Sequence, residues 1–158
     1  MNRRAFVTAL AGLFALHRAA EAGPEDAVAI RKLELSEAEW RKRLTPEQYA
    51  VLREEGTERA GTSALNAEKR KGHYACAGCD LPLFTSEKKY ESGTGWPSFW
   101  APIPGRLGTR TDFKLVYPRT EYHCIRCGGH QGHVFDDGPK PTGKRYCNNG
   151  VALKFVPA

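Results

Sequence analysis

Two cysteine pairs of identical spacing, Cys76-Ala-Gly-Cys79 and Cys124-Ile-Arg-Cys127, constrain this chain more than any other feature. Together they offer four thiolates at the corners of a tetrahedron, and zinc is the natural occupant of such a set. Closing that site ties two distant hairpin turns together and stabilises whatever fold carries them. A closed four-sulfur site leaves no open position for water, so the expected zinc is structural, one per chain. Two other uses of the pairs compete. They could form structural disulfides, or act as a thioredoxin-like redox C-x-x-C, although the βαβ pattern that should precede such a motif is missing. His130, in Cys127-Gly-Gly-His130, would also allow a Cys3His site.

The elements around the pairs can be read from local signals. Ser36-Glu37-Ala38-Glu39 has the form of a capping box and predicts a short helix through Trp40 to about Arg43. Thr45-Pro46-Glu47-Gln48 repeats the device with proline at the first helical position, and Tyr49, Val51 and Leu52 give an apolar stripe that Gly56 ends. From His73 onward, glycines and prolines punctuate short β-prone runs. Val151, Leu153 and Phe155 alternate with Ala152 and Lys154 as in a half-buried strand. The expected fold is mainly β with two short N-terminal helices, one domain over residues 35–158.

The N-terminus reads as a leader. Arg3 and Arg4 precede an apolar run from Ala5 to Leu16, and Ala20-Glu21-Ala22 has the small-residue form of a cleavage site. The run is too short to span a hydrocarbon layer, so a removed leader over 1–22 is expected, not a membrane anchor. The paired arginines resemble the twin-arginine signal, which points to an exported, periplasmic protein of a bacterium. Residues 23–34 read as a linker. Removing the leader takes three basic residues and one acidic residue, lowering the net charge from +6 to +4. That is mildly basic, without the run of cations and interleaved aromatics that marks a nucleic-acid groove, so no nucleic-acid partner is expected.

If the pairs hold a metal, Cys147 in GKRYCNNG is the one thiol left of five. A catalytic thiol must reach its thiolate form and needs a neighbour to handle protons. Lys144 and Arg145 could lower its pKa, and Asn148 and Asn149 could donate amide hydrogen bonds to a polar oxygen. His130 and His133 titrate near neutral pH, and Asp136 and Asp137 could orient a ring.

Over most of its length, from about Leu35 to Phe155, the sequence resembles the peptide-methionine (R)-S-oxide reductases, MsrB. The runs that carry the resemblance are EWRKRLTPEQYAVLREEGTE at 39–58, the two C-x-x-C pairs, SGTGWPSFW at 92–100, GHVFDDGPKPTGKRYCNN at 132–149 and ALKF at 152–155. The resemblance implies two antiparallel sheets with short flanking helices and structural zinc at Cys76, Cys79, Cys124 and Cys127. It implies Cys147 as nucleophile, with His130, His133 and Asn149 around the sulfoxide oxygen, and Trp96 and Phe99 against the substrate. It further implies a sulfenic acid intermediate, a thioredoxin-like external thiol as reductant, oxidised proteins or peptides as substrates, and a monomer. Asn148 and Gly150 stand where the family usually has an apolar residue and serine. Thr94 stands where many members carry a recycling cysteine.

Three rival readings remain at this stage. A zinc-stabilised binding module would have no need of Cys147 or His133. A thiol–disulfide oxidoreductase would work through the C-x-x-C pairs. A zinc ribbon for nucleic acid fits poorly with an export leader.

Overall fold

A computed structural model describes residues 30–158. The expected leader at 1–22 lies outside the described residues, as does most of the expected linker. Residues 30–34 of that linker are tied to the body: the Leu33 N–H donates to Arg126 O (2.8 Å) and Lys32 Nζ donates to Ile125 O (2.7 Å).

Two helices open the domain, α1 (Glu37–Arg43) and α2 (Pro46–Leu52). Both begin with the reciprocal capping box read from the sequence, Ser36 with Glu39 and Thr45 with Gln48. Nine strands follow: β1 (Gly72–Cys76), β2 (Pro82–Thr85), β3 (Lys89–Tyr90), β4 (Ser98–Phe99), β5 (Leu107–Asp112), β6 (Arg119–Cys124), β7 (His130–Phe135), β8 (Arg145–Asn148) and β9 (Leu153–Pro157). They form a three-stranded sheet of order β2-β1-β9 and a six-stranded sheet of order β3-β4-β8-β7-β6-β5, with every pairing antiparallel. The expected mainly-β fold with two antiparallel sheets and two short helices is what the chain adopts. The alternation at the C-terminus begins later than expected, because Gly150–Ala152 make a turn of 3-10 helix before β9 starts at Leu153. No described helix is long and apolar enough to cross a membrane.

Aromatic packing holds the two sheets together. Phe84 of β2 stacks on Phe99 of β4 with ring centroids 4.2 Å apart, and Tyr74 of β1 meets Phe99 edge-on at 4.9 Å. Tyr122 and Tyr146, on β6 and β8, complete the cluster. Such pairs contribute about 0.5–1.5 kcal/mol beyond the area they bury.

The two C-x-x-C turns are built alike. Cys76 N–H donates to Leu81 O and Cys124 N–H to Gly129 O, both at 2.9 Å, while Asp80 N–H and Gly128 N–H return to the carbonyls of Cys76 and Cys124. Each turn needs one residue in the left-handed region just after its second cysteine, and Asp80 (φ 61°) and Gly128 (φ 68°) supply it. Leu52 of α2 packs over both turns, against Gly78 and Gly129.

Phe99 is fully buried between Phe84 and Tyr74, so it belongs to the inter-sheet core. Phe99→Ala should cost about 3–5 kcal/mol of stability in denaturant unfolding, the usual penalty for emptying a core aromatic site. A change under about 1 kcal/mol would mean that the ring is not a keystone of the core.

Candidate functional site: a cysteine–histidine cavity beside a four-thiol cluster

The four paired cysteines are buried and unbridged, and their sulfurs lie within 4.8 Å of one another. Cys76 Sγ and Cys127 Sγ are 3.7 Å apart, and Cys79 Sγ and Cys124 Sγ are 3.5 Å apart. Zinc–sulfur bonds of about 2.3 Å in a tetrahedron put the sulfurs about 3.8 Å apart, so the cluster fits a metal ion. Four thiolates around a divalent ion carry a net charge of about −2, and cations ring the site. Arg43 Nε donates to Gly78 O (2.7 Å), Arg53 Nη1 to Cys127 O (2.9 Å) and Arg126 Nη1 to Cys79 O (3.2 Å). His130 stands apart from the cluster, because its Nδ1 is 2.7 Å from Glu121 Oε1.

Strand register assembles the second site. Ser98 on β4 lies opposite Cys147 on β8, Cys147 opposite His133 on β7, His133 opposite Glu121 on β6, and Glu121 opposite Arg110 on β5. Directly opposed residues share a face of the sheet with Cβ atoms about 4.5–5.5 Å apart. One straight row across five strands therefore sets the thiol beside the imidazole. The approach is close: a Cβ on Gly132 would sit 1.9 Å from Cys147 O. A cavity of about 120 Å³ opens on this row, lined by Thr57, Trp96, Arg119, His133, Phe135 and Cys147 among others.

His130 and His133 are three residues apart, so a regular strand would point them to opposite faces. Here β7 is bulged, since His123 pairs with His130 and Tyr122 with Gly132, leaving Gln131 without an opposite partner. The extra residue brings both rings to one side, edge to face with centroids 5.4 Å apart.

Each histidine has its own carboxylate. His133 Nε2 is 2.7 Å from Asp112 Oδ2, which also accepts from Arg119 Nη2 at 2.6 Å. A carboxylate can only accept, so Nε2 carries the proton and Nδ1 is the nitrogen left for the cavity. The Lys114 N–H, together with His133 and Arg119, holds the Asp112 carboxyl well below its ordinary range. Burial acts to raise Glu121, but His123, His130 and Arg110 outweigh it and hold the group down at about 2. Burial lowers the His133 pKa despite Asp112, so the ring is neutral at pH 7. Burial likewise raises the Cys147 thiol, and Arg145 and the Thr94 hydroxyl only partly oppose it. The resting site is thus a thiol beside a neutral imidazole.

Other residues take places that local sequence signals did not indicate. Asp136 and Asp137 do not orient a ring; they pair with Lys144 and Arg145. Lys144 is therefore engaged away from Cys147, and Arg145 is the cation that acts on it. Phe99 does not line the cavity, being enclosed in the core, and Phe135 is the phenylalanine found there. Asn149 lines the cavity with its amide already employed: Oδ1 accepts from Glu58 N (3.0 Å) and Nδ2 donates to Gln131 O (3.0 Å), leaving one N–H. Glu58 is a hub with no local motif to reveal it. Its carbonyl accepts the Trp96 indole N–H (3.0 Å), and its carboxylate receives the N–H groups of Gly150 and Val151. Gly150 has a steric reason, since a Cβ there would lie 1.9 Å from Ser63 Oγ.

Residues 44–157 match the SelR domain family. The chain is 54% identical over 121 residues to the peptide methionine sulfoxide reductase MsrB of Leptospira interrogans, covering 76% of this chain and 92% of that protein. It is 55% identical over 122 residues to the chloroplastic peptide methionine sulfoxide reductase B1 of Arabidopsis thaliana, covering 77% of this chain and 60% of that longer protein. It is 52% identical over 136 residues to the mitochondrial methionine-R-sulfoxide reductase B2 of Rattus norvegicus, covering 80% and 78%. The chain belongs to the MsrB family. It is accordingly an enzyme of the oxidoreductase class, with an MsrB domain that includes both the four-thiol cluster and the Cys147 cavity.

Because burial raises the Cys147 thiol and Arg145 opposes it, the alkylation rate of Cys147 by iodoacetamide should climb with pH through an apparent pKa above that of an ordinary thiol. Arg145→Met, which removes the opposing cation, should move that midpoint higher still. A midpoint below that of a free thiol, or one that falls in the variant, would contradict the electrostatics described.

Proposed function

We propose that this chain reduces the R epimer of protein-bound methionine sulfoxide to methionine, through a sulfenic acid on Cys147, and so repairs oxidised proteins. The observation that carries the reading is the direct opposition of Cys147 and His133 across β8 and β7, in a cavity that Trp96 lines. The sulfoxide sulfur is electrophilic, but its oxygen leaves poorly without a proton. With a thiol and a neutral imidazole at rest, the thiol proton passes to His133 Nδ1 and from there to the sulfoxide oxygen. Asp112 holds the imidazolium while the proton is in transit. Cys147 sulfur attacks the sulfoxide sulfur, methionine departs, and the oxygen and the proton are left as Cys147 sulfenic acid. The remaining N–H of Asn149 serves the developing charge on oxygen; one such donor is worth about 2–4 kcal/mol. His130 supports from behind, its ring fixed by Glu121. Trp96 offers a flat apolar face to the S-methyl group, and a face that accepts methyl in one orientation distinguishes the two epimers.

Two external thiols, supplied by a thioredoxin-like reductant, then return the sulfenic acid to thiol with release of water and formation of their own disulfide. Thr94 carries a hydroxyl where a thiol would be needed, so it cannot act as an internal recycling thiol. Zinc is the metal best suited to four soft thiolates in a tetrahedron, and its role here is structural. The leader signals at residues 1–22 support export to a periplasm, and finding the uncleaved chain in the cytosol would contradict that part. Nothing in the reaction requires a second copy of the chain.

With a methionine-sulfoxide peptide and a small dithiol, turnover of the R epimer should exceed that of the S epimer by at least about 100-fold, and Cys147→Ser should abolish it. Without reductant, one equivalent of substrate should leave a dione-trappable sulfenic acid on Cys147 and no internal disulfide. Equal rates on both epimers, or a Cys147 disulfide with another cysteine of the chain, would overturn the scheme.

Purified protein should contain about one zinc per chain, and Cys124→Ser should lose both the metal and thermal stability. Metal-free protein that stays folded and fully active would refute the structural role of zinc.

A further inference from the structure

A second hollow, of about 350 Å³, adjoins the Cys147 cavity. Ala50 and Val51 of α2, Gly56, and Val151 of the turn before β9 line it. Thr57 lines both this hollow and the Cys147 cavity. The next residue shows how thin the partition is. Through its backbone Glu58 bonds two residues of the cavity, accepting from the Trp96 indole (3.0 Å) and donating to Asn149 Oδ1 (3.0 Å). Through its carboxylate it bonds the N–H groups of Gly150 and Val151, beside the hollow.

The hollow arises where the chain turns back after α2. Glu55 takes the left-handed conformation (φ 57°) and Gly56 N–H returns to Ala50 O (2.8 Å). A Cβ on Gly56 would lie 2.9 Å from that oxygen, so the wall there has no room for a side chain. Two of the polar side chains along the lining are satisfied within the protein: the Glu58 carboxylate as above, and Thr62 Oγ1, which donates to Arg59 O (2.7 Å). Glu47 and Arg59 are exposed, one of each sign, and water solvates them at the rim.

We propose that this hollow is a subsite for a polypeptide substrate, seating an aliphatic or aromatic side chain one or two residues from the methionine sulfoxide. The inference rests on reduction of protein-bound methionine sulfoxide at Cys147. A cavity of about 120 Å³ takes the sulfoxide side chain and leaves the flanking residues outside. Consecutive Cα atoms are about 3.8 Å apart, so those residues meet whatever borders the mouth, and a hollow that shares Thr57 with the cavity is within their reach. Methionine is among the residues most often buried in folded proteins, so the segments that carry it are rich in apolar side chains. Covering the apolar walls of the hollow with such a side chain is favourable, and a polar neighbour gains nothing there.

The test uses the full chain, a small dithiol and three substrates. N-acetyl-methionine-(R)-sulfoxide amide has no neighbours; two pentapeptides carry the same sulfoxide at the centre, flanked by leucine in one and by serine in the other. In the wild type, kcat/KM for the leucine peptide should exceed that for the serine peptide by at least about 10-fold, with the difference in KM. Ala50→Leu fills the hollow and Ala50→Glu puts a charge in it, and leucine and glutamate both suit a helix. Both variants should bring the ratio below about 2-fold, while kcat/KM for the acetyl amide stays within about 2-fold of the wild type.

Equal values for the two peptides in the wild type would overturn the inference and leave the reaction standing. A preference that survives both substitutions would also overturn it. So would an equal loss on the acetyl amide and the leucine peptide, which would make Ala50 a residue of the fold. With a thioredoxin in place of the small dithiol, a raised KM for that protein at unchanged peptide preference would give the hollow to the reductant. Self-association of the wild type that the variants abolish would give it to a second copy of the chain, and either result excludes the subsite. A wild type that leaves the acetyl amide unreduced would refute the proposed reaction and this inference with it, and that is read before the peptides are compared.

Discussion

Four sulfurs within 4.8 Å of one another are the constraint on which the rest of the structure depends. Without a cation, thiols packed so closely cannot all ionise, because each charge would be buried against three others. With a divalent ion they form a closed cluster whose remaining negative charge is met by Arg43, Arg53 and Arg126, each hydrogen-bonded to a carbonyl of the cysteine turns or their immediate neighbours. The turns belong to different sheets: one joins β1 to β2, the other β6 to β7. Fixing them together fixes the angle between the sheets, and the Phe84–Phe99–Tyr74 stack fills the space that angle creates. Helix α2 closes the assembly by laying Leu52 across both turns.

From that anchor the reactive row follows by register. The β6–β7 hairpin leaves the second cysteine turn, so the position of the turn sets where His130, Gln131 and His133 fall. The single bulge at Gln131 lets a spacing of three residues present two rings on one side, while the intervening side chain points back toward the sulfur cluster. Cys147 then needs only the ordinary antiparallel pairing of β8 with β7 to stand opposite His133. The electrostatics are those of a resting state, in which burial keeps the thiol protonated and the imidazole neutral. Arg145 and Asp112 stand ready to stabilise the charged forms of each.

How much could be read in advance depended on the range of the interaction. The starts of both helices were legible because a capping box is a local, reciprocal pair of hydrogen bonds, whereas α2 ends at Leu52, earlier than the stop read at Gly56. The four cysteines were legible because a repeated spacing has few uses. Asp112, Arg119 and Glu121 reach the site only through the pairing of β5 with β6 and of β6 with β7, and no sequence pattern announces such a pairing. Glu58 works through one backbone carbonyl and a carboxylate aimed at a turn far along the chain. Phe99 sits in a run of motif residues that includes Trp96, yet successive strand residues face opposite ways; Phe99 went to the core, and Phe135 from another strand took its place at the cavity. Asp136 and Asp137 were assigned to a histidine on proximity in sequence, while cross-strand geometry gave them to Lys144 and Arg145.

The division of labour among five cysteines, four held in a cluster and one left reactive, is the claim from which everything else descends. It is tested most directly by brief alkylation of the native, metal-loaded chain with limiting iodoacetamide, followed by mapping of the adducts by mass spectrometry. A single adduct on Cys147 is expected, with the other four labelled only after chelation and unfolding. Labelling of any of Cys76, Cys79, Cys124 or Cys127 at a rate comparable to Cys147 in the native state would contradict it.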